Sequence, residues 1–268
     1  MPDSFRLTEN VVYREADGAE LQLDYGIDEE TVPAGESGAR PIVVWIHGGA
    51  WLTGERSGEG QRILMRRVAA AGFLACSISY RLSSMATFPA QIEDAWGAVR
   101  WLRENAASIG GNPHSIGAWG HSAGGHLAAL LGLTAHEATL GGDKIPLKAV
   151  VPLSAPSDLG TMPGANDPQS PEALLVGGTA RQAPEEMQRA SPLSYARQST
   201  PIQRARFLIV HGKRDETVPF EQGLTLHKAI PDSSFLAIGT GGHDTDSGDV
   251  GWPEILAVAM AYFRTHLA

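Results

Sequence analysis

The sequence predicts an α/β architecture: a mostly parallel eight-stranded sheet with helices on both faces and a short cap-like insertion. Three features lead there. Six short apolar runs carry no internal alternation, which is how strands covered on both faces are written. Between most of them lie longer stretches with apolar residues three and four apart, the spacing of helices that bury one side. Ahead of both, two alternating runs flank a single glycine and read as a hairpin. With 268 residues and 43% hydrophobic content, the chain is long enough for one well-filled core. One domain spanning 1–268 is therefore expected.

In chain order, "VVYREAD" and "AELQLDYG" on either side of Gly18 form the hairpin. A polar spacer follows. The apolar runs are "IVVWIH" (42–47), "LACSIS" (74–79), "IGAWG" (116–120), "AVVPLS" (149–154), "FLIVHG" (207–212) and "FLAIG" (235–239). In "PAQIEDAWGAVRWLRENAA", Ile92, Ala95, Trp96, Val99 and Leu102 share one helix face, which leaves Glu93, Asp94, Arg100 and Arg103 mostly on the other. Strand, helix and strand repeated in this way give a parallel sheet. The rhythm breaks near 155–205, between the sixth and seventh strands. That stretch is rich in Pro and Gly and holds helical fragments but no strand, so it is expected to be an insertion near the active site.

The chemistry centres on "GHSAG" (120–124), the pattern G-x-S-x-G placed between the strand "SIGAW" and the helix "AGGHLAALLGL". So sharp a strand-to-helix turn forces Ser122 into a strained conformation and leaves no room for side chains at 120 and 124. The same turn holds Ser122 out at the sheet edge, beside free N–H groups at the helix start. A serine hydroxyl needs a base, and the base needs a carboxylate to orient it. In sheets of this type the partners follow in the order Ser, acid, His. That order leaves His227, His243 and His266. His227 and His266 lie in helical stretches, whereas His243 sits in the glycine-rich loop "GTGGHDTDSGD" after the last strand, and is the expected base. Asp215, in "HGKRDETVP" at the end of a strand, is the expected acid. Asp158 holds a similar place one strand earlier, but serves equally as a helix N-cap.

A developing oxyanion needs preorganised donors, each worth about 3 kcal/mol. "HGGAW" (47–51) follows the first parallel strand, and its glycines let the backbone turn N–H groups inward. Gly48, Gly49 and the N–H of Ala123 are the expected hole, with His47 bracing the loop. Trp51 and Tyr80 neighbour that loop and a strand end; they are candidates to line the substrate pocket, with core packing as the alternative.

These motifs, with "YRL" (80–82), "FPAQIEDA" (88–95) and "NPHSIGAWGHSAGGHLAALLG", make the chain resemble the α/β-hydrolase superfamily over nearly its whole length. Within it, the resemblance is to bacterial esterases related to the hormone-sensitive lipase group and to the branch of acetyl and feruloyl carbohydrate esterases. Hormone-sensitive-lipase-like enzymes carry a third glycine, an Asp before the nucleophile and "APE" after "YRL", where this chain has Ala50, His121 and "SSM". The resemblance implies a serine carboxylesterase acting on short-chain esters through an acyl-enzyme. The alternatives are a carbohydrate acetyl or feruloyl esterase, an amide-cleaving formamidase or peptidase-like hydrolase, and a binding module without activity.

Other function classes find little support. A net charge of −9 without clustered Lys and Arg argues against nucleic acid. No segment has the roughly 18 apolar residues of a membrane span, and the start "MPDSFRLTEN" lacks the pattern of a signal peptide, so a cytoplasmic location is expected. Cys76, the single cysteine, lies in an apolar run and reads as a buried hydrophobe. "DTDSGD" (244–249) has its glycine misplaced for a calcium loop and no Glu to close the twelve-residue frame, and His121 and His126 are poorly spaced for zinc. No metal or cofactor is expected, and a small-molecule ester is the expected partner.

Overall fold

The structure is a computed structural model that describes residues 4–35, 38–244 and 251–267. Among the described residues eight strands form one sheet: β1 (Phe5–Ala16), β2 (Ala19–Asp28), β3 (Arg40–Ile46), β4 (Leu74–Ile78), β5 (Gly111–His121), β6 (Ala149–Leu153), β7 (Arg206–Gly212) and β8 (Ser234–Ile238). Their spatial order is β1-β2-β4-β3-β5-β6-β7-β8. The two N-terminal strands are antiparallel, and every pairing from β4 onward is parallel. The hairpin turns at Asp17 and Gly18, both at positive φ, as a tight two-residue hairpin turn demands. β1 begins earlier than its alternating run because a register shift between Thr8 and Val11, with Asn10 at φ 62°, hides the period in "FRLTEN".

The helices of the described residues complete the layers: α1 (Glu59–Ala70), α2 (Ala90–Asn105), α3 (Ala123–Leu133), α4 (Pro171–Val176), α5 (Pro184–Ala190), α6 (Pro192–Ala196), α7 (Phe220–Ala229) and α8 (Trp252–Leu267). The alternation of strand side chains creates two cores. On one face Ile42, Val44, Ala118 and Val150 pack with α2 and α3; on the other Val43, Trp119 and Val151 pack with α1 and α8. The apolar stripe of α2 is fully buried, as its spacing predicts.

Asp94 departs from the expected polar face, for it is completely buried. Its carboxylate accepts two hydrogen bonds from the Arg81 guanidinium, both 2.8 Å, and pairs with Arg14 at 3.1 Å. Paired in this way a buried charge is tolerated, and the partners come from other elements. Cys76 is buried, and burial pushes its thiol pKa up. Between β6 and β7 run a one-turn 3-10 segment (Leu159–Thr161) and the short helices α4, α5 and α6, with no strand. Among the described residues no helix is long and apolar enough to cross a membrane.

Candidate active site

Ser122 stands between β5 and α3 at φ 55°, ψ −120°. Non-glycine residues rarely adopt positive φ, so the surroundings must enforce it. They do so from both sides. The Ser122 N–H donates to the Leu153 carbonyl at 2.9 Å, and its own carbonyl accepts from the His126 N–H at 2.9 Å. A methyl group on Gly124 would stand 2.0 Å from the Ile46 carbonyl oxygen, and one on Gly120 would stand 2.3 Å from that of Gly124. Only glycine lets strand and helix meet so closely.

The three expected partners come together at this edge. His243 Nε2 lies 3.0 Å from Ser122 Oγ, and His243 Nδ1 lies 3.0 and 2.9 Å from the two carboxylate oxygens of Asp215. A carboxylate only accepts, so Nδ1 carries the proton and Nε2 offers its lone pair to the serine hydroxyl. Asp215 is fixed in turn, since Oδ1 accepts the N–H groups of Thr217 at 3.0 Å and Val218 at 2.8 Å. Burial pushes the Asp215 carboxyl up, but hydrogen bonds from His211, His243 and the Val218 N–H outweigh it and hold it well below the usual carboxylate range. Asp158 sits apart from this group, its N–H donating to Gln222 Oε1. His227 is bonded to Ser233, and His266 packs on Tyr262.

The "HGGAW" loop abuts the nucleophile: a methyl group on Gly48 would meet the His121 carbonyl at 3.0 Å and Ser122 Cβ at 3.4 Å. Gly49 turns at φ 111°, with Thr53 folded back against it. Among the described residues, the N–H groups of Gly48, Gly49 and Ala123 have no backbone acceptor. Ala50 and Trp51 also have positive φ, 55° and 59°, so the position where related enzymes carry a third glycine keeps a glycine-like backbone. His47 braces the loop as expected, its Nδ1 2.8 Å from the Gly48 carbonyl, and burial lowers its pKa.

A cavity of about 220 Å³ opens at Ser122 and Ala123. Ala50 and Trp51 line it from one side, Met162–Gly164 and Ser170–Glu172 from the insertion, and Glu216–Val218 from the acid loop. Trp51 lines this cavity and is at the same time packed in the core. Tyr80 does not line it: its ring stacks on His47 at 4.4 Å and its hydroxyl donates to the His47 carbonyl at 3.0 Å, so it supports the loop from beneath.

Two histidines acquire roles that spacing alone did not reveal. His121 Nε2 lies 2.8 Å from the His243 carbonyl, and a carbonyl only accepts, so Nε2 carries a proton. Burial lowers the His121 pKa and keeps the ring neutral. His126, entirely buried, accepts the Trp51 indole N–H on Nδ1 at 3.2 Å and donates from Nε2 to the Ala190 carbonyl at 2.7 Å. Burial brings its pKa down to about 4. The segment "DTDSGD" lies, beyond Asp244, outside the described residues.

The family model described as BD-FAE matches residues 31–230, three quarters of the chain. The chain belongs to the BD-FAE family. The match runs from the spacer before β3 through α7, and so takes in the "HGGAW" loop, the elbow and Asp215. Among curated relatives of this BD-FAE chain, Esterase LipC of Mycobacterium tuberculosis is 33% identical over 241 residues, covering 84% of this chain and 59% of LipC. Carboxylesterase NlhH of the same species is 37% identical over 97 residues, covering 36% of this chain and 30% of NlhH. The chain spans 59%, 47% and 44% of the length of LipC, LipQ and LipM. Solved structures agree on the fold. A truncated carbohydrate esterase from gut microbiota superposes with a TM-score of 0.82 at 26% identity, with 99% of each chain covered. The apo form of Thermogutta terrifontis esterase 2 gives 0.76 at 26% identity, covering 100% of this chain and 97% of that one. The architecture is therefore that of the α/β-hydrolases.

Proposed function

We propose that this chain is a serine carboxylesterase that hydrolyses short-chain esters through an acyl-enzyme. The observation that carries the reading is the unbroken chain of contacts from Ser122 Oγ to His243 Nε2 at 3.0 Å and from His243 Nδ1 to Asp215 at 2.9 Å. In this reading Ser122 Oγ attacks the ester carbonyl carbon while its proton passes to His243 Nε2. Asp215 holds the ring in the tautomer that can accept that proton and stabilises the imidazolium. Negative charge gathers on the former carbonyl oxygen, where the N–H groups of Gly48, Gly49 and Ala123 donate to it. Collapse of this intermediate expels the alcohol with the proton from His243, and water then repeats the sequence to release the acid.

A cavity of about 220 Å³ is small against the roughly 300–1,000 Å³ of common ligand pockets, which supports short acyl groups. The stretch between β6 and β7 supplies much of its wall, and we assign it the part of a cap within a single domain. The test is hydrolysis of p-nitrophenyl acetate by the wild type and by Ser122→Ala. The substitution should lower kcat by a factor on the order of 10⁵. Activity within tenfold of wild type would remove Ser122 from the mechanism. The end-to-end match with a carbohydrate esterase favours acetylated sugars as a second reading, which a comparison of acetylated xylose with simple alkyl acetates distinguishes.

A further inference from the structure

The wall of the substrate cavity contains an unexpected charge. Glu172 lies only 5% exposed and lines the cavity that opens at Ser122. Its carboxylate has no salt-bridge partner among the described residues. The cavity wall combines the apolar Pro156, Met162 and Pro171 with the hydroxyls of Ser122, Ser170 and Thr217, and Glu216 stands at the exposed rim. Among the described residues no Lys or Arg lines the cavity.

The acceptor capacity of Glu172 is only partly used. A carboxylate has about four lone-pair positions. One takes its own backbone N–H and one the Ser170 hydroxyl. That hydroxyl has no second proton to give, and its oxygen already accepts the Ala173 N–H at 3.1 Å. Burial consequently pushes the Glu172 carboxyl up, beyond what these two bonds offset. A helix-start carboxylate placed only for structure would face solvent. This one lines the cavity that opens at Ser122, its Oε2 3.9 Å from where a methyl group on Gly164 of the same wall would stand. A buried acceptor with free lone pairs is stabilised by a donor, and a buried charge still more by an opposite charge.

We propose that Glu172 is a specificity-determining residue that makes this cavity a subsite for a hydrogen-bond-donating substituent, a hydroxyl or an ammonium, and excludes substrates with a carboxylate there. The inference rests on the esterase reading and adds to it the chemistry of the preferred substrate. Both donor types satisfy the free lone pairs, while a carboxylate brings like charge into a site with no cation.

Two matched ester sets test it, because either half of the ester could occupy the subsite. One set is the acetates of ethanol, ethylene glycol, 2-(dimethylamino)ethanol and glycolate. The other is the methyl esters of butyrate, 3-hydroxybutyrate, 4-(dimethylamino)butyrate and succinate. In one set a hydroxyl or ammonium member should exceed the alkyl member in kcat/KM by about tenfold or more, and the carboxylate member should fall below it by a similar factor. Glu172→Gln, which keeps an acceptor but no charge, should preserve a hydroxyl preference, abolish an ammonium preference and relieve the carboxylate penalty. Glu172→Ala should abolish either preference. The proposal is overturned if the alkyl member is best in both sets, or if Glu172→Gln leaves every ratio within twofold. Those outcomes leave the esterase reading intact; its own failure is different, with no ester hydrolysed by the wild type and no labelling of Ser122 by a fluorophosphonate.

Discussion

His121 precedes the nucleophile, and by sequence alone it is simply a residue on a tight turn that cannot reach Ser122. Its position makes it the support of the proposed base instead. The bond from its Nε2 to the His243 carbonyl ties the glycine-rich loop to the strand that ends at the elbow. That partner was not legible because it is a backbone carbonyl 122 positions away, and carbonyls leave no mark in a sequence. His121→Phe keeps the ring and loses the donor, and should lower kcat by about ten- to a hundredfold, since a misplacement near 1 Å is enough for that. His121→Gln, whose amide nitrogen can occupy the place of Nε2, should recover most of the loss, with KM little changed in either variant. Equal kcat in the Phe and Gln variants would discard the positioning role. Asp215 has a consequence for stability as well as for rate. Its folded pKa lies below the unfolded value of about 3.9, so the ionised carboxylate stabilises the fold fully above that pH. The contribution is lost as pH falls through the folded value. Asp215→Asn should therefore lower kcat by a factor on the order of 10⁴ and also flatten the acid limb of unfolding below about pH 4, as measured by urea denaturation across that range.

At the level of elements, an alternating pair and six unbroken apolar runs made the strands legible, helical periodicity made α2 legible, and glycine spacing identified the elbow. What it could not convey was how loops distant in sequence are joined. His126 on α3 joins two distant segments, accepting the Trp51 indole N–H from the "HGGAW" loop and donating its own Nε2–H to the Ala190 carbonyl at the end of α5. In the sequence it is one more residue on an apolar helix, and only its spacing from His121 could be weighed. The pocket wall at Met162–Gly164 and Glu172 was hidden for the same reason: a Pro- and Gly-rich stretch has no period from which to read the direction of a side chain. The His126 link has a measurable pH signature. With a folded pKa of about 4 and an unfolded value near 6.5, the unfolded chain binds the extra proton first as pH falls. Stability is whole above about pH 6.5 and declines towards pH 4, by up to about 3 kcal/mol from this group. Replacing His126 by Gln, which can accept from Trp51 or donate to Ala190, should lower stability at pH 7.5 but remove part of that decline. Urea midpoints at pH 7.5 and 5 for both proteins decide it; parallel losses would assign the titration elsewhere.

Across the whole molecule, the sheet is what brings residues 122, 215 and 243 to one edge, and it is held by the two cores that its faces bury. The unbroken apolar runs marked these strands as covered on both faces, but not the points where helix and strand touch. Gly117 on β5 is one: a methyl group there would stand 2.6 Å from the ring of Phe263 on α8, a side chain with no exposure. The strand lacks a side chain at this point because the ring fills its place. Phe263→Ala should cost about 3–5 kcal/mol, the lost burial and the cavity together. Gly117→Ala should cost about 1–3 kcal/mol by overpacking the same contact. If the two residues share one space, the double variant should be more stable than the sum of the single losses by at least about 1 kcal/mol, because the new methyl group enters the cavity that the ring vacates. Urea denaturation of the four proteins measures this coupling. Additive losses would mean that α8 and β5 relax independently, and that the core on this face is not packed as tightly as the contact between Gly117 and Phe263 requires.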